Sequence, residues 1–528
     1  MDDSVMTIIW IVSFVLVTVA VTGLSRRVGW SAPITLVAVG AIASFLPMLP
    51  KIEVKPELVL YGLLPPLLFA AAIRTSLVDV RARKDSILAL SVGLVLFTVV
   101  VVGFFTWLIV PAITLATGFA FAAVVAPTDA VAVTSISGRL KLPRRLVTVL
   151  EGESLFNDAA ALVALSAAIA AIVGTFNPWV VAADSVLAVV VGTLFGLAAG
   201  FGLSAIRKRL KAPVLDTSLS LVTPFVAFIP AQLLHGSGVL SVVIAGLIVG
   251  ANAPVVQSAQ ARIADSVNWR TIRFLLENSV FLFIGLNLKG ILGGVADSGF
   301  DVGRTIVISV SMLLFLIVAR FGWIIAVRTF YRFGPKRFRP LSWNWNTTVA
   351  IGFSGMRGVV TLAAVFLLPE GTPQKPFLQF LAFVVVVGTL LQGLALPWII
   401  RRLRLPPPNA DQELVEAQML MAEARAAGVV KLDSESMESD DAAVIDRLRT
   451  DAVLLGESLL NPVAEGVEPA QAAFGRLRLA MIEAERAAVL TARREGRYQE
   501  PAVRAILASI DAEEVAVRVL RHNNKTDS

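Results

Sequence analysis

Residues Glu151-Gly152-Glu153-Ser154-Leu155-Phe156-Asn157-Asp158 lie inside a stretch, 146–172, that is apolar and long enough to cross a bilayer. An ionised Asp near the hydrocarbon midplane costs about 2.5–3.5 kcal/mol on insertion scales, so acids at that depth normally line an ion or proton path. On a helix Ser154 and Asp158 are four residues apart, as are Glu153 and Asn157, and all four project from adjoining parts of one face. The preceding stretch, 111–138, crosses in the opposite direction and carries Pro127, Thr128 and Asp129, so Asp129 can approach Asp158 at similar depth. Two carboxylates, the Asn157 amide oxygen and the Thr128 and Ser154 hydroxyls make a hard, all-oxygen environment. Such a cluster suits a small alkali cation, with Asp158, Asp129, Ser154 and Thr128 as its ligands. Burial disfavours the charged form of a carboxylate, so the same cluster also takes up a proton. If the protein changes its access only when the cluster is neutralised by one or the other, competition becomes obligatory exchange.

Two further charges lie deep: Arg320 near the middle of stretch 304–330, and Arg357 in 345–368. Each needs a partner. Glu153 is the natural one, which leaves Asp158 free to titrate.

The elements that must hold these groups are membrane helices. The chain of 528 residues is 56% hydrophobic and 16% charged, with a mean hydropathy of +0.78, values outside the range of a soluble globule of this size. It has no cysteine, which excludes disulfides, thiolate metal sites and a cysteine nucleophile. Its two histidines, His235 and His522, are far apart, which argues against clustered-His metal chemistry. The net charge of +7 hides a split: 32 basic against 17 acidic residues in 1–404, and 14 against 22 in 405–528. That division predicts a transmembrane domain, 1–404, and a cytoplasmic helical tail, 405–528. The basic excess sits in short loops between apolar runs, which suits an anionic inner leaflet and gives no reason to expect nucleic acid.

Hydropathy predicts about 13 crossings of roughly 18–27 residues, at 5–24, 31–49, 57–77, 86–108, 111–138, 146–172, 183–206, 216–234, 237–253, 273–292, 304–330, 345–368 and 377–400. The start Met1-Asp2-Asp3 lacks the positive region of a signal peptide, so 5–24 reads as a retained first span. Basic clusters such as Arg26/Arg27, Arg207/Lys208/Arg209/Lys211 and Arg401/Arg402/Arg404 all follow odd-numbered spans, which predicts an outside N-terminus and a cytoplasmic C-terminus. Spans 1–6 and 8–13 then start on opposite sides, the topology of two inverted six-helix repeats. The fifth span of each half is interrupted, by Pro127 in one and by Gly352-Phe353-Ser354-Gly355-Met356-Arg357-Gly358 in the other. After Pro406-Pro407-Pro408 come four amphipathic stretches, near 411–427, 440–460, 469–494 and 501–521, with Pro469 and Pro501 suited to first helical turns and Gly428 to a C-terminal cap; 429–439 and 522–528 read as flexible.

Glu151 to Ala159, together with Pro127-Thr128-Asp129, Leu64-Pro65-Pro66-Leu67-Leu68-Phe69 and Gly355-Met356-Arg357-Gly358, resembles the sodium/proton exchanger branch of the cation/proton antiporter superfamily, bacterial NhaP-like proteins above all. The resemblance spans about residues 5–400 and leaves the tail unclaimed. It implies an all-α polytopic protomer of about 13 helices, a homodimer, and a core of crossed broken helices that moves against a dimerisation domain. Asp158 resembles the carboxylate that binds cation and proton, Asn157 its partner, and Thr128, Asp129 and Ser154 supporting ligands. Glu153 resembles the acid of a buried ion pair whose partner lies on span 11, which favours Arg320 over Arg357. An Asn-Asp pair in this family implies one proton per monovalent cation and electroneutral exchange. Ala70 stands where some members carry an acid.

The resemblance therefore implies a secondary transporter rather than an enzyme, in the plasma (inner) membrane, exchanging Na+, or K+ or Li+, for protons and regulating internal pH and sodium. No cofactor is expected beyond the transported ions. Two other readings of the acids differ in class: an intramembrane aspartyl protease using Asp129 and Asp158, and a cation channel. The first lacks a Tyr-Asp or Gly-x-Gly-Asp setting, and the second needs no protonatable pair beside broken helices. Glu277, beside Asn278 in span 10, reads as an interface or packing residue, and His235 as a solvated loop histidine.

Overall fold

The computed structural model describes residues 3–47, 58–129, 142–174, 177–296, 299–405, 410–435, 442–449, 470–495, 506–507 and 509–517. The chain divides into two compact units, Met1–Pro406 and Pro407–Ser528.

The first unit is helical throughout its described residues. Its helices are α1 Asp3–Val28, α2 Ala32–Ala43, α3 Leu64–Ala72, α4 Leu77–Ala82, α5 Lys84–Ile109 and α6 Leu115–Val125. They continue with α7 Arg144–Ile172, α8 Pro178–Arg207, α9 Pro213–Leu233, α10 Gly238–Val256, α11 Ala259–Leu286 and α12 Leu288–Ala296, then α13 Val302–Phe333, α14 Trp345–Phe353, α15 Val359–Phe366 and α16 Lys375–Leu403. Among the described residues, eight helices are long and apolar enough to cross a membrane, and a ninth span forms if α11 and α12, bent by 41° at their junction, count as one. Rows of apolar side chains on α1, α8 and α13 face outward, among them Leu16, Leu194 and Val318, as lipid-facing surfaces do.

Polar caps start many of these helices where the sequence leaves an apolar run. The Thr114, Asn177, Ser237, Ser258 and Asp301 side chains each accept a hydrogen bond from a first-turn backbone N–H, satisfying donors that lipid cannot. A π turn at Ala89–Gly93 interrupts α5, and the Ala89 carbonyl accepts a bond of 2.9 Å from the Trp323 indole of α13.

Three apolar clusters fix α7. Leu146, Val149 and Leu150 pack with Ile351, Met356 and Leu396. Leu155 and Ala159 join Phe69, Phe228 and Trp269, and Leu165 and Ala168 join Phe121, Phe281 and Leu381. The polar turns of α7 are thus held between packed layers, with Asp158 its central residue. The facing wall comes from α11, which crosses α2 closely at a pair of glycines. A Cβ at Gly40 would strike the Leu282 carbonyl, and one at Gly285 the Val37 carbonyl.

Some elements differ from the sequence expectation. The stretch expected at 57–77 is a π turn, Leu58–Leu63, followed by the short helix α3, because Pro65 and Pro66 suit a first turn and not a helix interior. The stretch expected at 273–292 is the last part of a longer, bent helix pair beginning at Ala259. In the second unit, helix Ala410–Glu435 runs through Gly428, which therefore caps nothing; Val429, Val430 and Leu432 continue the helix beyond it. Residues 130–138 of the expected fifth span, Pro469, Pro501 and 522–528 lie outside the described residues.

The second unit contains helices Ala410–Glu435 and Ala470–Arg494, with further helical segments at 442–449 and 509–517. Ile482 packs with Ile510 and Val517. Arg478 forks onto the Glu513 carboxylate at 2.6 and 2.7 Å, and Arg486 bonds Asp511 and Glu514. The Arg478 guanidinium holds the Glu513 carboxyl below its usual range.

Candidate functional site

Two chain breaks meet beside α7. Helix α6 stops at Val125, and residues 126–129 are irregular because Pro127 has no N–H to continue the ladder. Between α14 and α15 the chain unwinds over 354–358, where Gly355 and Gly358 lack a Cβ. The breaks bond to each other: the Asp129 N–H donates to the Met356 carbonyl at 2.7 Å, and Arg357 Nε donates to the Val125 carbonyl at 3.1 Å. A Cβ at Gly358 would overlap the Asp129 carboxylate.

Arg357 is buried and donates also to the Gly355 carbonyl at 2.7 Å, while its backbone N–H donates to Thr389 Oγ1 at 3.0 Å. Its guanidinium therefore serves carbonyls at both breaks, where α6 and α14 end. Helix C-termini carry partial negative charge, so a fixed cation is stabilised there.

Glu153 is held by Arg320 and not by Arg357. Arg320 Nη1 donates to Glu153 Oε1 at 2.6 Å and Nη2 to Oε2 at 3.2 Å, with the side chains 3% and 2% exposed. The rest of the fork donates to the Ile351 and Gly352 carbonyls. Thr128 Oγ1 donates to Glu153 Oε1 at 2.8 Å, and Asn157 Nδ2 donates to the Thr128 carbonyl at 2.8 Å and to its hydroxyl at 3.1 Å. Glu153, Asn157, Thr128 and Arg320 thus form one buried network that ties α7 and α13 to both breaks. Asn157 Oδ1 is buried with no hydrogen-bond partner.

Asp158 stands apart from that network. Among the described residues it forms no ion pair, and its side chain lines a cavity of about 790 Å³ together with Thr128, Asp129 and Ser154. Thr128, Asp129, Ser154 and Asp158 therefore all line this cavity, whereas Glu153 and Asn157 do not and are joined to it through Thr128. Two carboxylates and neutral hydroxyls facing a cavity that can hold water suit a weakly held, exchangeable alkali cation or a proton. Among the described residues no group of three or more His, Cys, Asp or Glu has the makings of a tight metal site.

One further part of the lining was not expected from the sequence. Arg270, Phe274, Glu277, Asn278 and Phe281 of α11 all line the cavity, at spacings that put them on one helical face. Glu277 forms an ion pair with Arg273 at 2.5 Å, and Asn278 Oδ1 accepts from Thr22 Oγ1 at 3.4 Å. The reading of Glu277 as an interface or packing residue gave no account of this cavity; the polar periodicity of α11, carried into an apolar run, was the available signal. His235 is exposed in the turn between α9 and α10 and does not line the cavity.

Comparison with known proteins gives the arrangement a family. The model of the family described as "Sodium/hydrogen exchanger, transmembrane" matches residues 12–402. A Mycobacterium tuberculosis protein, described as an uncharacterised Na(+)/H(+) exchanger, is 29% identical over 97% of each chain. The sodium, potassium, lithium and rubidium/H(+) antiporter of Bacillus subtilis is 31% identical over 73% of this chain and 60% of its own. The structure of the sodium proton antiporter MjNhaP1 from Methanocaldococcus jannaschii at pH 8 matches with a TM-score of 0.62, covering 76% of this chain and 99% of that one at 17% identity, a likeness of fold. These relatives are exchangers and antiporters, and nothing in them favours a protease or a channel. The chain is thus a multi-pass membrane protein of the sodium/hydrogen exchanger family, a secondary transporter and not an enzyme.

Proposed function

We propose that this protein exchanges Na+ for protons by competition for Asp158, with Asp129, Ser154 and Thr128 as further cation ligands and Asn157, Glu153, Arg320 and Arg357 holding the unwound chain in place. The observation that carries the reading is the contrast between two acids on one helix. Glu153 is neutralised permanently by Arg320, whereas Asp158 faces the cavity without an arginine. Only the second can pass between a cation-bound and a proton-bound state.

Family membership supports the remaining features. The eight long spans, the bent pair and the shorter apolar helices Ala32–Ala43, Leu60–Ala72 and Leu115–Val125 are consistent with about 13 crossings in two inverted six-helix repeats. The basic loops support an outside N-terminus and a cytoplasmic tail in the plasma membrane. Resemblance to the family supports homodimerisation. Neutral Asn157 beside Asp158 supports one proton per cation and electroneutral exchange, with Na+ as substrate and K+ and Li+ as competitors to be tested.

The test is dequenching of a pH-sensitive dye in proteoliposomes on addition of Na+, K+ or Li+, under a valinomycin-clamped potential. Cation-driven proton flux is expected in the wild type and absent in Asp158→Asn. Flux that survives this substitution removes the mechanism, and a dependence on potential removes the stoichiometry.

A further inference from the structure

The cavity that reaches Asp158 has a wall poorly suited, at first sight, to a cation. Five arginines line it: Arg26, Arg74, Arg270, Arg273 and Arg401. Four acids oppose them: Asp129, Glu151, Asp158 and Glu277. With every group ionised the wall carries one positive charge in excess, and a proton on Asp158 makes it two. Fields in a cleft with low-dielectric walls are focused and change local ion concentration, so each remaining acid matters to an approaching cation.

Glu277 is distinguished among those acids by where it sits and by what holds it. It lies seven residues along α11 from Arg270, about 10 Å of helix, and shares the cavity with Asp158. Its partner Arg273 is on the same helix one turn away, with the two side chains 21% and 12% exposed, so a rotamer change of Arg273 uncovers the carboxylate without moving any helix. Asn278, also on the cavity wall, is braced by its bond to the Phe274 carbonyl and by Thr22 of α1. The Glu153–Arg320 pair is the opposite case: it joins two helices, is closed on both sides and cannot open by a rotamer change.

We infer that Glu277 captures the incoming monovalent cation ahead of Asp158, and that Arg273 occupies its carboxylate in the cation's absence. The inference rests on the exchange reading above. Glu277 is then a specificity-determining residue for loading from this cavity, and its loss acts on the concentration of cation needed and not on the turnover of a loaded site.

The experiment measures initial cation-driven proton flux across a Na+ series, in proteoliposomes of wild type, Glu277→Gln, Glu277→Asp, Arg273→Gln and Asp158→Asn. Glu277→Gln is expected to raise the KM for Na+ about tenfold while the maximal rate falls less than twofold. Glu277→Asp restores KM to within about threefold of wild type, and Arg273→Gln lowers it. An unchanged KM in Glu277→Gln overturns the inference. So does an equal loss of maximal rate in Glu277→Gln and Arg273→Gln with KM unmoved, the behaviour of a purely structural pair. If Glu277→Gln does not fold, Arg273→Gln decides: a lower KM supports capture and an unchanged KM overturns it. Flux persisting in Asp158→Asn sinks the exchange reading itself, whatever position 277 shows.

Discussion

At the scale of single residues, Asn157 and Asp158 are neighbours in sequence with opposite duties. Asn157 gives both amide protons to Thr128 and so pins the irregular segment 126–129. A carboxylate at 157 has no proton to give, and it would face the Thr128 carbonyl with Glu153 close by. A buried acceptor set against an acceptor costs about 1–3 kcal/mol, so Asn157→Asp is expected to destabilise the protein by about that much. Asp158→Asn removes a buried charge that has no ion-pair partner, and it is expected to hold or raise the melting temperature. Asp158→Asn is expected to lose transport, and thermal melts of the purified proteins separate the two variants. A parallel fall in both melting temperatures contradicts this division of labour. The sequence made Asp158 conspicuous because an acid in an apolar run is too costly to persist without a function. Depth alone could not choose between Arg320 and Arg357, since both lie deep in apolar runs; the family resemblance favoured Arg320, which the path of the breaks brings to Glu153.

At the scale of elements, the site depends on two interrupted spans whose broken ends bond to one another. Pro127 and the glycines of 352–358 marked both breaks in the sequence, through a missing donor and missing Cβ atoms. What the sequence left illegible was their contact, and with it the need for glycine at 358. There a Cβ would overlap both the Cβ and the carboxylate of Asp129, a side chain too short to swing aside. Gly358→Ala is therefore expected to displace Asp129 and to cut cation-driven flux about tenfold or more, as displacement of a positioned group by 1 Å can cost about a hundredfold. Flux within twofold of wild type in a folded Gly358→Ala protein would show that the breaks yield freely. Helix α11 shows the other limit of the sequence: hydropathy placed its apolar end, with Glu277 and Asn278 inside it, but not the cavity that Arg270, Glu277 and Asn278 line.

At the scale of the whole membrane unit, the cavity lining carries a cluster of arginines. Arg26, Arg74 and Arg401, in or just past the last turns of α1, α3 and α16, and Arg270, midway along α11, line it, and the excess of lysine and arginine in their segments supports a cytoplasmic side for them. Phe281 also lines the cavity and packs in the apolar cluster that holds Phe121 and Leu381. With those basic segments on the cytoplasmic side, as proposed above, the site would face inward, and the chain supplies its own means of testing it. With no cysteine in 528 residues, any introduced thiol is the only one present. Ser31, in the turn between α1 and α2, lines the cavity mouth, and Ser154 lies beside Asp158. A membrane-impermeant thiol reagent is expected to label Ser31→Cys in inside-out vesicles and not in intact cells. Ser154→Cys should label from the same side, more slowly, and be protected by Na+ in a manner that acid abolishes, because a proton on Asp158 excludes the cation that shields it. Labelling of Ser31→Cys from the outside would reverse the orientation. Protection of Ser154→Cys that persists at low pH would mean that cation and proton bind together, which obligatory exchange at a single carboxylate does not allow.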